Sequence, residues 1–562
     1  MNTEILGIIA MFILTVAFAI PFGRYIAKVY AGEKTAFDPM FNPIEKLFFK
    51  ISCIDEKAEM NWKQHMFAMI TINMVWFVLG MFVLMNQDWL PLNSDGNPGQ
   101  SADLAFNTSI SFVVNCNLQH YAGESGVSYL SQLFLMFLHF MTAGTGMAAA
   151  AVLFLALRER TTDKLGNFYN LMVKSCTRIL FPLAVLVASI LAFNGTPMTF
   201  EAKDTMVNMQ GDTVQVSRGP VAAFVAIKHL GTNGGGYYGA NSAHPLENPN
   251  YLTNMTEMIS QMIIPIAMVF AFGFFLKRRK MSWMIFGVMT IGFLCLAVPT
   301  VLWENGGNHA ITAMGIDNGA GAMEGKEVRF GSSVSAFWSI ATTVISTGSV
   351  NAMHDSFTPL SGMTQMLGMM TNAFYGGVGV GMLNFFIFIV LAVFISGLMV
   401  GRTPELMGKK IEAREMKIAM IVALLHPFLI LTGTALAAAF PSITSATLAN
   451  PGFHGFSEML YEYTSSSANN GSGFEGLGDN NPWWNISTGF VLILSRFIPI
   501  IGPVAIAGLL AQKKYIPESA GTLKTDSSTF GIMILAVIVI ITALSFFPAL
   551  TLGPIAEYFT AR

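Results

Sequence analysis

The chain is short of charge. Asp, Glu, Lys and Arg make up 11% of its 562 residues, where a soluble domain carries about 25%. Hydrophobic residues make up 53% and the mean hydropathy is +0.55. A water-soluble fold has no way to hide that much apolar surface, so this is a polytopic membrane protein. Cysteine is scarce: Cys53, Cys116, Cys176 and Cys295, with no CxxC pair. That pattern indicates neither a disulfide framework nor a zinc site. There is no HExxH, which argues against an intramembrane metalloprotease, and no glycine loop ending in GK[ST], which argues against a P-loop. No basic stripe points to nucleic acid. The apolar run from Ile5 to Ile20 follows only Met-Asn-Thr-Glu and ends in Pro21-Phe22-Gly23-Arg24. It lacks the basic start and small-residue cleavage site of a signal peptide, and reads as a retained span.

What is present is length without charge. Crossing a bilayer takes about 20 apolar residues, and ten stretches qualify: 4–23, 64–86, 127–157, 170–193, 255–276, 282–303, 376–400, 416–440, 486–511 and 530–555. Lys and Arg then set sidedness. They crowd the gaps after spans one (Arg24 to Lys57), three (Arg158, Arg160, Lys164), five (Lys277 to Lys280), seven (Arg402 to Arg414) and nine (Lys513, Lys514). The gaps 87–126 and 441–485 have none. The odd-numbered gaps are therefore expected in the cytoplasm, with both termini outside.

Four polar segments interrupt this pattern at near-even intervals. They are Asn115-Cys116-Asn117-Leu118-Gln119, Thr232-Asn233-Gly234-Gly235-Gly236, Ser346-Thr347-Gly348-Ser349 and Ala468-Asn469-Asn470-Gly471. Each lies in an even-numbered gap, after a run long enough for a short helix (105–114, 221–230, 334–345 and 455–465). Polar backbone at membrane depth is tolerated only inside protein or along a cavity. The expected fold is an all-α membrane protein with four span–pore loop–span repeats: 62–160, 165–280, 281–412 and 413–515. One extra helix flanks them at each end, at 1–30 and 528–562. Inverted repeats need an odd number of spans per repeat; these repeats are span pairs in parallel topology.

The layout suits a dehydrated cation. Rings of backbone carbonyls replace the hydration shell in potassium filters. Turning carbonyls into a narrow pore needs unusual backbone angles, which Gly adopts at least cost. Gly234, Gly348 and Gly471 fit that task, and Asn117 takes it in the first loop because Asn tolerates positive φ. The short helices would aim their negative C-terminal ends at the ion, and the four segments hold no Asp or Glu. One glycine-rich loop alone is usually a flexible turn; four at matching positions make a pore.

Several stretches sharpen this: Thr232 to Gly236 with Ala240-Asn241-Ser242 and His244-Pro245, Ala352-Met353-His354-Asp355-Ser356-Phe357, Gly376-Gly377-Val378-Gly379, Gly401-Arg402-Thr403-Pro404-Glu405, and Asn469-Asn470-Gly471-Ser472. With these the chain resembles, over essentially its whole length, the KdpA family, the potassium-binding subunit of the bacterial Kdp P-type ATPase complex. That family is related to the Trk/Ktr/HKT transporters. The resemblance implies a channel-like, non-hydrolytic subunit in the inner membrane. It would bind external K+ and pass it to the ATPase subunit KdpB, with KdpC and often KdpF also bound. The chain has no DKTGT motif and no nucleotide-binding loop, so it is not itself expected to be an enzyme. The alternative is a stand-alone Trk/Ktr-like channel or gradient-driven transporter.

On this reading the filter comprises Asn115, Cys116, Asn117, Thr232, Asn233, Gly234, Ser346, Thr347, Gly348, Ala468, Asn469, Asn470 and Gly471. Gln119, Arg496 and Arg402 are candidates for support or pathway. Arg496 stands inside span nine, where a charge suggests function; Arg402 serves equally well as a topology signal. Relatives often carry a Glu where this chain has Thr371, Asn372 and Ala373, so a Glu partner for Arg496 does not carry over. His354 and Asp355 are expected to brace loop three. Lys228 is expected to mark a wet vestibule. Met363, Met366, Met369 and Met370 are expected to pack, in a region the resemblance makes an irregular helix beneath the filter.

Overall fold

The computed structural model describes residues 3–517 and 524–560. The outermost two residues of each expected end segment, 1–2 and 561–562, lie outside them. Among these residues ten helices are long and apolar enough to cross a membrane: Thr3–Ala31, Trp62–Met85, Tyr129–Arg158, Phe168–Phe193, Tyr251–Phe275, Arg279–Asn305, Val380–Val400, Ala413–Ala439, Pro482–Ala511 and Ser528–Leu552. They are called spans one to ten. Their starts are set by local chemistry. Asn61 and Asn250 close capping boxes at the heads of spans two and five. Ser128 caps span three, and Asn481 with Pro482 opens span nine. Each cap satisfies amide groups that the first turn leaves without partners.

Span seven starts four residues later than the hydropathy suggests. Residues 372–379 are irregular, with positive φ at Asn372, Tyr375, Gly376 and Gly379. The irregularity expected in the methionine region is not there but follows it. The methionines themselves lie on a regular helix, Pro359–Thr371. There Met366, Met369 and Met370 are buried with Tyr461, Phe474 and Phe546.

Four shorter helices descend between the span pairs: Ala102–Val113, Val221–Leu230, Gly331–Ile345 and Gly452–Ala468. They are called pore helices one to four. They are buried along most of their length despite many Ser and Thr residues, such as Ser332 to Thr343 in the third. Burial of hydroxyls demands partners, and several bond back one helical turn, as Thr343 does to the Ser339 carbonyl (2.8 Å). Spans three and five form the centre of the bundle, and span one packs along span five. Span ten packs on spans six and seven.

Among the described residues the fold departs from all-α in two small antiparallel hairpins. One pairs Asp204–Val207 with Thr213–Val216 in the gap after span four, and the other pairs Glu405–Leu406 with Lys409–Lys410 after span seven. A surface helix after span one, Asp38–Ile51, is also absent from the sequence reading.

Candidate functional site: a ring of four loops

Each polar segment leaves its pore helix through the same backbone turn. The first loop residue of each adopts a left-handed φ: Asn115 (61°), Thr232 (47°), Ser346 (61°) and Asn469 (51°). The next amide donates to the carbonyl five residues back: Cys116 to Ser111 (3.0 Å), Asn233 to Lys228 (2.9 Å), Thr347 to Thr342 (2.9 Å) and Asn470 to Ser465 (2.9 Å). This is the Schellman end of a helix, used four times. Glycine normally fills the left-handed position. A β-branched Thr there is an outlier, and the Val378 amide, donating to the Thr232 hydroxyl (2.9 Å), holds it.

The third loop residue is again left-handed: Asn117 (55°), Gly234 (65°), Gly348 (88°) and Gly471 (103°). In an ordinary extended strand successive carbonyls point to opposite sides. Reversing φ at every second residue turns alternate peptide planes over, so the carbonyls gather on one side.

The loops follow one another around a ring in chain order. A Cβ on Gly234 would collide with the Thr347 carbonyl, one on Gly348 with the Asn470 carbonyl, and one on Gly471 with the Cys116 carbonyl. Only glycine fits these three close approaches. The fourth junction, between loops one and two, is closed by side chains. The Asn117 amide donates to the Gly234 carbonyl (2.9 Å) and meets His139 Nε2 (2.6 Å). Gln119 accepts from the Gly236 amide (2.6 Å) and donates to the Gly236 carbonyl (3.0 Å). Asn115 donates to the carbonyls of Gly231 and Thr232 (3.1 Å each) and accepts from Asn233 and from Thr142.

In loop four, Ala468 accepts from the Ser346 hydroxyl (2.8 Å), Asn470 reaches the Thr342 carbonyl (2.8 Å), and Asn469 reaches Ser495 of span nine (3.1 Å). Arg496, the next residue along span nine, lies close to this part of the ring. It is buried, it lies beside Gly146 of span three, and no carboxylate pairs with it among the described residues. A small cavity of about 60 Å³ lies beside Ser495, lined also by Asn372, Asn384, His426 and Ser467. Arg402 lies elsewhere. It is exposed beyond the far end of span seven, and its amide donates to the Gly397 carbonyl (2.8 Å).

The opposite mouth is a cavity of about 660 Å³ whose walls include Gln119, His120, Gly348, Gly471, Glu475 and Asp479. His120 is buried there, bonded to Asn485 (2.6 Å) and Glu462 (3.2 Å). Burial pulls its pKa down, but Asp479 and the hydrogen-bonded Glu462 outweigh that and push it up to about 9.

Lys228 is not in a wet vestibule. It is fully buried behind loop two, paired with Glu247 and bonded to Asn241 (2.7 Å); an internal partner makes that burial tolerable. His354 braces loop four rather than loop three, through Tyr461 (2.8 Å) and on to Ser472 (2.8 Å). Asp355 joins His454 (2.9 Å), whose other ring nitrogen meets Glu557 (2.8 Å). The sequence reading missed His139, His426 and His454, because an isolated His in an apolar stretch gives no sign of its distant partners. It also gave no role to Gly376-Gly377-Val378-Gly379. That loop presses on span three so closely that a Cβ on Gly379 would strike the Gly146 carbonyl.

The sequence model of the family described as KdpA, potassium-transporting ATPase A subunit, matches residues 9–559. The chain is 70% identical to the potassium-transporting ATPase potassium-binding subunit of Flavobacterium johnsoniae, over 100% of both chains. It is 60% identical to the subunit of that name from Phocaeicola vulgatus, over 99% of this chain and 100% of the relative. With that of Geobacillus kaustophilus it shares 45% identity over 98% of each. Among solved structures, the potassium transporter TrkH from Vibrio parahaemolyticus has a similar fold, with a TM-score of 0.53 at 12% identity. The likeness covers 89% of this chain and 98% of that one.

Proposed function

The chain belongs to the KdpA family of potassium-transporting ATPase A subunits, and on that premise we propose that it binds K+ at the four-loop ring and delivers it to a partner ATPase. The observation that carries this reading is the ring itself: four helix ends, each closed by the same left-handed turn, brought together through carbonyl contacts. Such a ring offers a dehydrated cation oxygen ligands without a fixed carboxylate. The four helix C-termini add partial negative charge, each worth about 0.3–1 kcal/mol. Loop residues 115–117, 232–234, 346–348 and 468–471 are assigned to the filter, with Gln119 as a brace. Arg496, with no carboxylate partner among the described residues, raises the energy of a cation below the ring and opposes passive leakage. Arg402 is assigned to topology rather than to the pathway.

The subunit hydrolyses no ATP on this reading; KdpB does so, with KdpC and often KdpF completing the complex. The chain sits in the inner membrane with its basic odd-numbered gaps in the cytoplasm and both termini outside. Its repeats run 62–160, 165–280, 281–412 and 413–515, flanked by the end helices. The test is a potassium titration of ATPase activity in the assembled complex, with one substitution in each loop. Shifts in apparent affinity from all four loops are expected. If the purified chain alone carried K+ into liposomes at a channel rate, the stand-alone channel would replace this reading.

A further inference from the structure

The surface helix Asp38–Ile51 has three distinct faces. One is docked on the protein: Phe41, Glu45 and Phe49 are buried. Arg178 of span four bonds Asp38 (2.7 Å), Asn42 (2.7 Å) and both oxygens of Glu45 (2.7 and 2.6 Å). The second face is an uncovered apolar stripe. Met40, Ile44, Leu47 and Ile51 recur at helical spacing and are 59%, 53%, 59% and 75% exposed. The third carries Lys46 and Lys50, both exposed.

The stripe continues the lipid-facing surface of the bundle. Phe37 packs edge-on against Tyr25 of span one, and Phe41 against Phe181 of span four. Phe181, Val185 and Leu186 are themselves about half exposed, pointing away from the protein. The helix lies at the same end of the bundle as Arg24 and Lys28 of span one. An amphipathic helix at that depth, apolar on one face and basic on another, is the pattern of an interfacial helix.

We propose that Asp38–Ile51 is a membrane-surface helix that recruits acidic phospholipids. The Met40/Ile44/Leu47/Ile51 stripe lies among the acyl chains, and Lys46 and Lys50 hold the headgroup phosphates. Arg178 fixes the helix at that depth, and its four bonds keep the apolar stripe turned outward. The placement at the basic end of the bundle rests on the fold, and the cytoplasmic identity of that end rests on the orientation proposed above.

The test uses the full chain in nanodiscs containing photoreactive phosphatidylglycerol or photoreactive phosphatidylcholine, with the diazirine in the acyl chain. Peptides spanning 35–57 are then recovered and their lipid adducts counted. Adducts on this segment are expected in both discs, about threefold or more in favour of phosphatidylglycerol. The preference should fall to parity in Lys46→Gln/Lys50→Gln, a pair of exposed positions outside the ring. Equal labelling of the unaltered chain by the two lipids would overturn the acidic-lipid assignment. Absence of adducts would overturn the interfacial placement. Repeating the labelling on the assembled complex gives a third outcome: adducts lost only there would mean that a protein partner covers the stripe, which also overturns the proposal. Both leaflets of the disc have one composition, so failure here leaves the potassium reading and the orientation untouched.

Discussion

Three junctions of the ring are glycine against carbonyl, and one is amide against backbone. Loops two, three and four each meet the next loop through a missing side chain. Loop one meets loop two through Asn115, Asn117 and Gln119, which together make several hydrogen bonds across the gap. The difference teaches that the ring is held by two kinds of force. Steric closeness tolerates no added atom, whereas hydrogen bonds are lost one at a time, at about 1 kcal/mol each. Damage at the two kinds of junction should therefore differ in kind as well as in size.

The largest effect is expected at the glycine junctions. Gly348→Ala or Gly471→Ala puts a Cβ on a neighbouring carbonyl at a positive φ, adding about 1–3 kcal/mol of backbone strain to the collision. Potassium-stimulated ATPase activity of the assembled complex should fall at least about tenfold, with size-exclusion profiles reporting whether the complex still assembles. Retained activity and affinity would show that these junctions have room, and the contrast with loop one would collapse.

Gln119→Ala comes next. It removes both bonds to Gly236, and the apparent potassium affinity should weaken about tenfold while maximal activity is kept. An unchanged affinity would mean that the side-chain junction holds nothing in place.

Asn117→Gly makes the fourth junction resemble the other three. The left-handed angle becomes easier, but the donor to the Gly234 carbonyl is lost. Discrimination between K+ and Rb+, read from paired titrations, should shift by about threefold. A collapse as severe as that of Gly348→Ala would show that both junction types are equally rigid.

The smallest effect on selectivity lies outside the ring. His454 links Asp355 to Glu557 of the final helix, Pro554–Thr560. Burial pulls its pKa down, but the hydrogen bonds to Asp355 and Glu557 outweigh it and raise the pKa from 6.5 to about 10. A raised folded-state pKa gives stability that is complete below the unfolded value and lost as pH rises through the folded one. The thermal unfolding temperature should therefore fall as pH rises from about 6.5 and level off as it passes about 10. His454→Asn should lower that temperature at neutral pH and flatten the alkaline decline, with K+/Rb+ discrimination intact. An unaltered alkaline decline would remove His454 as its cause.

The glycines were legible as candidates because they stand in polar segments between apolar runs. Which carbonyl each faces was not legible, since Gly471 and Cys116 are hundreds of residues apart and nothing local records their contact. Gln119 was readable as a brace only in outline; its partner, Gly236, appears when loops one and two meet. Lys228 misled because an isolated lysine reads as solvated, and its partner Glu247 is identified only when the chain folds back. The surface helix was hidden by its place in a basic gap, where the lysines outweighed the apolar stripe.

By itself the sequence determined the membrane class, the ten spans and the four interruptions. Those follow from hydropathy and charge over windows of about 20 residues, and the bilayer acts on each window separately. Only the tertiary structure decided the order of loops around the ring, the glycine-to-carbonyl closures, the packing of Arg496 beside Gly146 and the His454 clasp. These are contacts between segments distant in the chain. Their geometry depends on how buried helices pack against one another, which no local pattern of residues encodes.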